Sequence, residues 1–167
     1  FKADAVVIAT GGKSYPGTGS TGDGYEWAKA AGHRIIEPRP GLVPLVAEEN
    51  WVPELKGLSL RNVKATSFRA NGKKINEDFG EMLFTHFGVS GPIILSMSRD
   101  IGEYLFKKQQ KVKLQIDLKT ALTEEKLDLR LQRDFEKYTR RQFKNALDDL
   151  LPRKLIQIGR ASCRERV

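Results

Sequence analysis

The sequence has very few of the residues that build metal and redox centres. It contains one cysteine and two histidines among 167 residues. A single cysteine excludes a disulfide framework, a cysteine-based zinc site, an iron–sulfur cluster and a Cys-x-x-Cys redox pair. Two histidines far apart in the sequence argue against a histidine-rich metal site, so no metal is expected. Chemistry must come from a bound cofactor, or from carboxylates and hydroxyls.

Long apolar segments are also missing. The longest uninterrupted apolar run covers residues 5–9, whereas a membrane span needs about 20 apolar residues. With 40% hydrophobic and 30% charged residues, the composition is typical of a globular protein. We therefore expect a cytoplasmic protein without a membrane partner.

The last ten residues, 158–167, resemble the in-frame translation of a sequencing adapter. The alternative is a basic C-terminal tail, and under either interpretation the segment is set aside in reasoning about the fold. Without it, lysine plus arginine fall from 29 to 26 and aspartate plus glutamate from 21 to 20, so the net charge falls from +8 to +6. We expect this tail to pack against nothing.

Residues 1–44 have the pattern of an α/β protein. The apolar, β-branched run at 3–9 predicts a strand buried on both faces of a parallel sheet. A glycine-rich segment follows, then a helix at 23–31 that Gly32 ends, and then a short strand at 33–36.

Residues 45–157 predict a β-rich, antiparallel region with helices. Asn71-Gly72 is a strong hairpin signal, and residues 111–118 alternate apolar and polar as a half-buried strand does. Further strands are predicted at 42–47, 62–70, 73–76 and 81–84. Helices are predicted from Pro92 to Leu105, from Thr123 to Tyr138, and from Phe143 to Leu151.

The segment Gly17-Thr18-Gly19-Ser20-Thr21-Gly22 matches the dinucleotide pattern Gly-x-Gly-x-x-Gly, and Glu37 lies twenty residues beyond Gly17. That motif should directly follow its strand, but residues 11–17 intervene and Pro16 lies just before it. A stand-alone dinucleotide fingerprint is therefore the less favoured interpretation.

Two separate glycine elements are the favoured interpretation. Ala9-Thr10-Gly11-Gly12 ends the predicted strand, and Thr21-Gly22-Asp23-Gly24 begins the predicted helix. Backbone without side chains at a strand end and unbonded amides at a helix start can bind an anion. Asp23 can accept a hydrogen bond from a ribose hydroxyl or from a ring N–H. The alternative is a glycine-rich turn in which Asp23 only caps the helix.

Three blocks carry a family resemblance: residues 9–25 with Ala31-Gly32-His33, residues 83–92 (Leu-Phe-Thr-His-Phe-Gly-Val-Ser-Gly-Pro), and Ile116-Asp117-Leu118. They resemble the NAD(P)/FAD-dependent oxidoreductases of the aminoacetone-oxidase type, over residues 1–157. The resemblance implies a longer flavoprotein whose Rossmann-like FAD domain is split by a β-barrel-like insert. This chain would be its middle portion, with 1–44 from the FAD domain and 45–157 the inserted substrate-side domain.

The resemblance also implies an activity. The protein would be a FAD-dependent oxidoreductase whose flavin is reduced by NAD(P)H and whose substrate is a small molecule rather than a nucleic acid. The expected cofactor-binding residues are Ala9, Thr10, Gly11, Gly12, Thr21, Gly22, Asp23 and Gly24. The missing N- and C-terminal segments of the same protein would complete the site, so this chain alone should be inactive.

Other residues leave alternatives open. His86 is a candidate catalytic residue that faces flavin or substrate, with Ser90 and nearby amides as an anion site; it is otherwise a structural histidine. His33 is best explained as a helix cap. The basic residues Lys107, Lys108, Lys111, Lys113, Arg140, Arg141 and Lys144 suggest nucleic-acid binding as an alternative, and the β-rich insert could instead be a protein-interaction module.

Overall fold

The computed structural model describes residues 2–140 and 142–164. The chain divides into two compact units, Phe1–Pro40 and Gly41–Val167, and each is described by itself.

The first unit contains one α-helix, α1 (Asp23–Ala30), preceded by a 3-10 turn at Pro16–Thr18. Gly32 follows the helix with φ +88°, and the amide of His33 donates to the carbonyl of Ala28 at 3.0 Å, which closes the last turn. The prediction of a helix ended by Gly32 is therefore confirmed.

The predicted strands at 3–9 and 33–36 are not formed within residues 2–40. The apolar side chains that were expected to be buried are exposed: Val6 by 82% and Val7 by 89%. A strand of a parallel sheet is held by hydrogen bonds to a neighbour on each side. Residues 2–40 supply no such neighbour, so the run does not form a strand.

The second unit is built on a curled, antiparallel half-barrel of five strands. The strands are β1 (Leu45–Val46), β2 (Ser59–Phe68), β3 (Lys74–Phe84), β4 (Gly88–Ser90) and β5 (Lys113–Asp117). Their order across the sheet is β1-β4-β3-β2-β5, so β1 and β5 are its edges. The expectation of a barrel-like, antiparallel architecture is confirmed for this unit.

The β2–β3 hairpin turns where the sequence predicts. The amide of Arg69 donates to the carbonyl of Lys73 at 2.9 Å, and Gly72 has φ +80°. The two short strands predicted at 73–76 and 81–84 are one continuous strand, because pairing with β2 carries β3 through the polar residues Glu77 and Asp78.

Helix α2 (Pro92–Lys108) fills the inside of the curled sheet. Ile93, Ile94, Met97 and Ile101 on one face of the helix are each at most 3% exposed. They pack in one cluster with buried side chains of the sheet, namely Leu60, Val63, Ala65, Met82, Phe84 and Val89. The predicted helix start at Pro92 is confirmed, since proline is favoured in a first turn.

Three further helices follow: α3 (Glu124–Lys137), α4 (Phe143–Ala146) and α5 (Arg153–Arg164). The Thr123 hydroxyl accepts from the amide of Lys126 at 3.4 Å, which confirms the predicted cap. The expected apolar stripe of α3 is only half-buried, and its buried residue is Asp134, which pairs with Arg130 at 3.1 Å. The helix predicted up to Leu151 is shorter, ending at Ala146.

The last helix corrects one expectation. Ile158 packs against the core cluster together with Leu155, so the prediction that nothing from residue 158 onward packs is wrong for that residue. The adapter origin of the tail stays a prediction. Among residues 2–140 and 142–164, no helix has the length and apolar character needed to cross a membrane.

Candidate functional site

The first unit brings the two glycine elements against each other. A Cβ placed on Gly24 would lie 2.4 Å from the hydroxyl oxygen of Thr10 and 3.4 Å from Cγ2 of Ile8. A side chain at position 24 would force the Thr10 hydroxyl to move, because real Cβ contacts do not fall below 3.0 Å. The strand-like element 9–12 therefore lies directly beside the start of α1.

Two of the glycines also adopt a backbone conformation that other residues rarely take. Gly11 has φ +74° and Gly22 has φ +94°. Gly22 is the residue before α1, and no side chain hydrogen-bonds to the helix start there. The first amides of α1 are thus without a side-chain cap, which is the arrangement that suits an anion or a carbonyl group of a ligand.

Asp23 is the first residue of α1 and is exposed. Gly22, the residue that precedes the helix, has no side chain to cap it, and both roles considered for Asp23, helix cap and cofactor contact, stay predictions. Its carboxylate still benefits from the positive end of the helix dipole, and it is open to accept a hydrogen bond from a ligand.

Lys13 is a residue that the sequence analysis missed. A Cβ on Gly22 would lie 3.2 Å from Cδ of Lys13, so the lysine side chain lies across the start of α1. Its position directly after the Gly11-Gly12 pair was the available signal, because a cation beside a glycine turn can pair with a phosphate.

His86 lies in the turn between β3 and β4, in the second unit. The hydroxyl of Thr85 accepts from the amide of Gly88 at 3.0 Å, and the amide of Thr85 donates to the carbonyl of Gly88 at 2.8 Å. The exposed His86 ring contacts Phe87 edge to face, with centroids 4.8 Å apart. His86 thus belongs to a different unit from the eight predicted cofactor-binding residues, and its role stays a prediction.

Gly88 fixes the path of this turn. A Cβ there would lie 2.0 Å from the carbonyl oxygen of Leu45, because β1 and β4 pair at this point. The turn that presents His86 is therefore anchored directly to the edge strand β1.

The basic residues around the end of α2 are partly compensated. Lys107 pairs with Glu103 and Lys111 with Glu48, while Lys113 is exposed on β5. The predicted basic residues Arg141 and the side chain of Lys144 lie outside the described residues. Within the described ranges, no group of three or more His, Cys, Asp or Glu side chains could hold a metal ion.

Residues 39–165 match the sequence pattern of the HI0933-like protein barrel and H2TH domain. The chain belongs to the HI0933-like family. This family is of the FAD-associated, flavoprotein-type oxidoreductase class. The coarse expectation drawn from the three sequence blocks, an oxidoreductase of flavoprotein type, is confirmed at that level.

Three curated relatives have informative names. The chain is 28% identical over 156 residues to a 3-dehydro-bile acid delta(4,6)-reductase of Clostridium scindens, covering 93% of this chain and 37% of that protein. It is 31% and 32% identical to the ribosomal RNA dihydrouridine synthases of Escherichia coli and Haemophilus influenzae, covering 92% of this chain and 35% of each. The chain spans about a third of the length of the curated relatives it matches.

Proposed function

We propose that this chain is part of a FAD-dependent reductase of the aminoacetone-oxidase type, in which the first unit helps to hold FAD. The observation that carries the proposal is the packing of the two glycine elements at the uncapped start of α1. Membership of a flavoprotein-type family supports it.

The residues of the first unit fit a flavin nucleotide. Gly11 and Gly12 are not buried and leave backbone open to a ligand, and the first amides of α1, which follow the buried Gly22, suit a phosphate or carbonyl oxygen. Lys13 offers a cation beside them. Asp23 accepts a hydrogen bond from a ribose hydroxyl or a ring N–H, whereas its charge disfavours direct contact with a phosphate.

FAD, when bound, supplies a hydride to the substrate after it has been reduced, and we propose NAD(P)H as the reductant. The chain's own contribution is to orient the cofactor and the substrate. His86 is proposed to contact substrate or flavin, since its exposed ring is held on a turn fixed by Thr85 and Gly88.

The proposed substrate is a uridine base in ribosomal RNA. The two relatives above 30% identity have names that give this substrate. The net charge, +8 for the whole chain and +6 without the adapter-like residues 158–167, favours association with a polyanion. This proposal replaces the sequence-based expectation of a small-molecule substrate.

A small-molecule substrate remains a second candidate because one relative is named as a bile-acid reductase. Substrate-dependent oxidation of NADPH or NADH distinguishes the two candidate substrates. The full-length protein would oxidise NADPH or NADH in the presence of a conjugated steroid ketone if the substrate is a small molecule, and in the presence of unmodified ribosomal RNA if it is RNA.

The RNA proposal is tested by mass spectrometry of ribosomal RNA nucleosides. Deleting the gene should remove dihydrouridine from one position of the RNA, and the full-length gene should restore it. A His86→Ala gene should restore it at least about a hundredfold more slowly if His86 moves a proton. Ribosomal RNA that is unchanged by the deletion would contradict the proposal.

The cofactor proposal is tested separately by FAD retention. In the full-length protein, Asp23→Ala should weaken FAD binding about fivefold or more, because one acceptor hydrogen bond is lost. Glu26→Ala is the matched control, since Glu26 is the other acidic residue in the first turn of α1. If both variants keep FAD as tightly as the parent, Asp23 does not contact the cofactor.

A further inference from the structure

The second unit has an open cavity that takes no part in the flavin proposal. Its volume is about 1160 Å³, and both edge strands of the sheet, β1 and β5, contribute to its wall. The wall is largely apolar, with Phe84, Ile101, Leu105, Leu114 and Ile116 among its side chains. All of the lining residues belong to the second unit, so this cavity is separate from the glycine elements of residues 9–24.

The gap between the two edges is bridged by an ion pair. Nζ of Lys111, just before β5, lies 2.6 Å from Oε2 of Glu48, just after β1. The hydrogen bond that Lys111 donates to Glu48, together with the negative charge of Glu48, raises the pKa of Lys111 above its ordinary value. The two edge strands, β1 and β5, are therefore connected to each other by side chains and leave room between them. The neighbouring strands β2, β3 and β4 are instead joined by backbone hydrogen bonds.

Arg69 supplies the unusual polar feature of the wall. Its Nε–H is buried and has no hydrogen-bond partner within the described residues. Its guanidinium carbon lies 5.6 Å from the ring centre of Tyr104, and the Tyr104 hydroxyl donates to Oε1 of Gln110 at 2.8 Å. Because Nε has almost no accessible surface, a ligand in the cavity would meet the terminal nitrogens of Arg69.

The charges that face this cavity favour an anion. Arg69, Lys111 and Lys113 line it together with Glu48 and Glu49. Because Glu48 is engaged by Lys111, two cations remain against one carboxylate. A guanidinium fork matches a carboxylate in a way that an ammonium does not, since it can donate two parallel hydrogen bonds through its two terminal nitrogens.

We propose that this cavity binds an apolar organic molecule that carries one carboxylate, with the carboxylate paired to Arg69. The apolar wall covers the body of the ligand, and the guanidinium satisfies its charge. Ligand cavities in proteins have this character, an apolar lining with a few placed polar groups, and volumes of roughly 300–1,000 Å³. The inference is independent of the flavin and RNA proposals, so its failure leaves them untouched.

Trp51 lines the cavity, so its fluorescence can report ligand binding there. The only other tryptophan is Trp27, so the Trp27→Phe chain reports on Trp51 alone. Titration with decanoate should produce a saturable fluorescence change with one site. Decan-1-ol, which has the same chain without the charge, should bind at least about tenfold more weakly because it cannot form the charged pair.

Arg69→Gln is the decisive variant, and Lys73→Gln is its matched control. Lys73 is an exposed cation in the same hairpin and is outside the cavity wall. We expect Arg69→Gln to lose the preference for decanoate over decan-1-ol and Lys73→Gln to keep it. Circular dichroism verifies that the variants are folded. If Arg69→Gln does not fold, Arg69→Lys replaces it as the test. That variant should weaken decanoate binding several-fold, because lysine lacks the guanidinium fork.

Three outcomes would overturn the inference. The first is the absence of a saturable Trp51 change with decanoate. The second is equal binding of decanoate and decan-1-ol, and the third is decanoate binding that no change at Arg69 affects, since in both cases the cavity would not recognise an anion.

Discussion

The two units of this chain differ in how well their apolar residues are covered. In residues 2–40, Val6 and Val7 are 82% and 89% exposed, and α1 has no buried residue. In the unit from Gly41 onward, Leu55 and Ile94 are fully buried in a continuous core cluster. The two regions have similarly apolar runs, so composition alone does not decide which of them forms a core.

The difference lies in the range of the contacts that each region needs. The second unit is made of antiparallel strands, and its hairpin at Asn71-Gly72 joins neighbours in sequence that are also neighbours in the sheet. The first unit has the pattern of a parallel sheet, whose strands pair only through a crossover of a dozen or more residues. Turns specified by a few neighbouring residues can therefore pair the strands of the second unit, but they cannot pair those of the first.

The largest expected effect is in backbone protection. Amide hydrogen exchange of residues 3–9 should be at least about 10³-fold faster than that of central β2 and β3 amides, because sheet amides open only with the whole unit. Limited proteolysis should likewise remove about the first 40 residues and spare a product that begins near Gly41. Equal amide protection in residues 3–9 and in β2 and β3 would show that the two units do not differ in stability.

Truncation of an apolar side chain should destabilise the second unit strongly and the first unit hardly at all. Leu55→Ala should lower the free energy of unfolding by about 2–5 kcal/mol, because the fully buried side chain leaves a cavity. Val7→Ala should change it by less than about 0.5 kcal/mol, since Val7 is 89% exposed. Urea unfolding of both variants measures the difference, and comparable losses would mean that Val7 is buried in solution.

Glycine substitution tests the anchor of the His86 turn. Gly88→Ala should destabilise the second unit by about 1–3 kcal/mol or more, because the new Cβ would meet the Leu45 carbonyl oxygen at 2.0 Å. Gly41→Ala is the control, as a Cβ there would meet nothing within 4 Å. Thermal unfolding compares them, and a Gly88→Ala protein as stable as the control would show that β1 does not pair with β4.

The smallest effect concerns acid stability in the helical part of the second unit. The hydrogen bond from the Tyr138 hydroxyl, aided by Lys137, lowers the pKa of Asp149 from its ordinary value of 3.8. Because the folded-state pKa is the lower one, the stabilisation is complete above pH 3.8 and is lost as the pH falls through the folded-state value.

Tyr138→Phe should therefore raise the pKa of Asp149 toward 3.8, as measured by NMR titration. Its stability deficit should shrink as the pH falls below that value. Tyr104→Phe provides the control, because the Tyr104 hydroxyl bonds to the neutral Gln110, so its effect should not vary with pH over this range. A deficit for Tyr138→Phe that is constant with pH would contradict the assignment.

The particular elements show where sequence reasoning succeeds. The helix stop at Gly32, the turn at Asn71-Gly72, the helix start at Pro92 and the cap at Thr123 are all found where they were predicted, because each is specified within about four residues. The middle of β3, by contrast, was missed. Glu77 and Asp78 have little strand propensity of their own, and only the pairing with β2 holds them extended.

The candidate site shows the same division. The glycine elements 9–12 and 21–24 were found as separate motifs, whereas their close approach through Thr10 and Gly24 is known only from the structure. Lys13 and Arg69 were not singled out, since a lone basic residue has no pattern. Their interest arises from what lies next to them after folding: the start of α1 in one case, and an apolar cavity in the other.

The sequence by itself determined the features that short stretches can encode: the absence of a cysteine-based metal or redox centre, the positive charge, the turns and caps, and the glycine elements. The tertiary structure alone decided that β3 runs unbroken, that α2 fills the curled sheet, and that β1 and β5 face one cavity with Arg69 in its wall. These depend on contacts between residues as far apart as Glu48 and Lys111. Such contacts form only when the whole unit folds, because closing a long loop costs entropy that no single local interaction offsets.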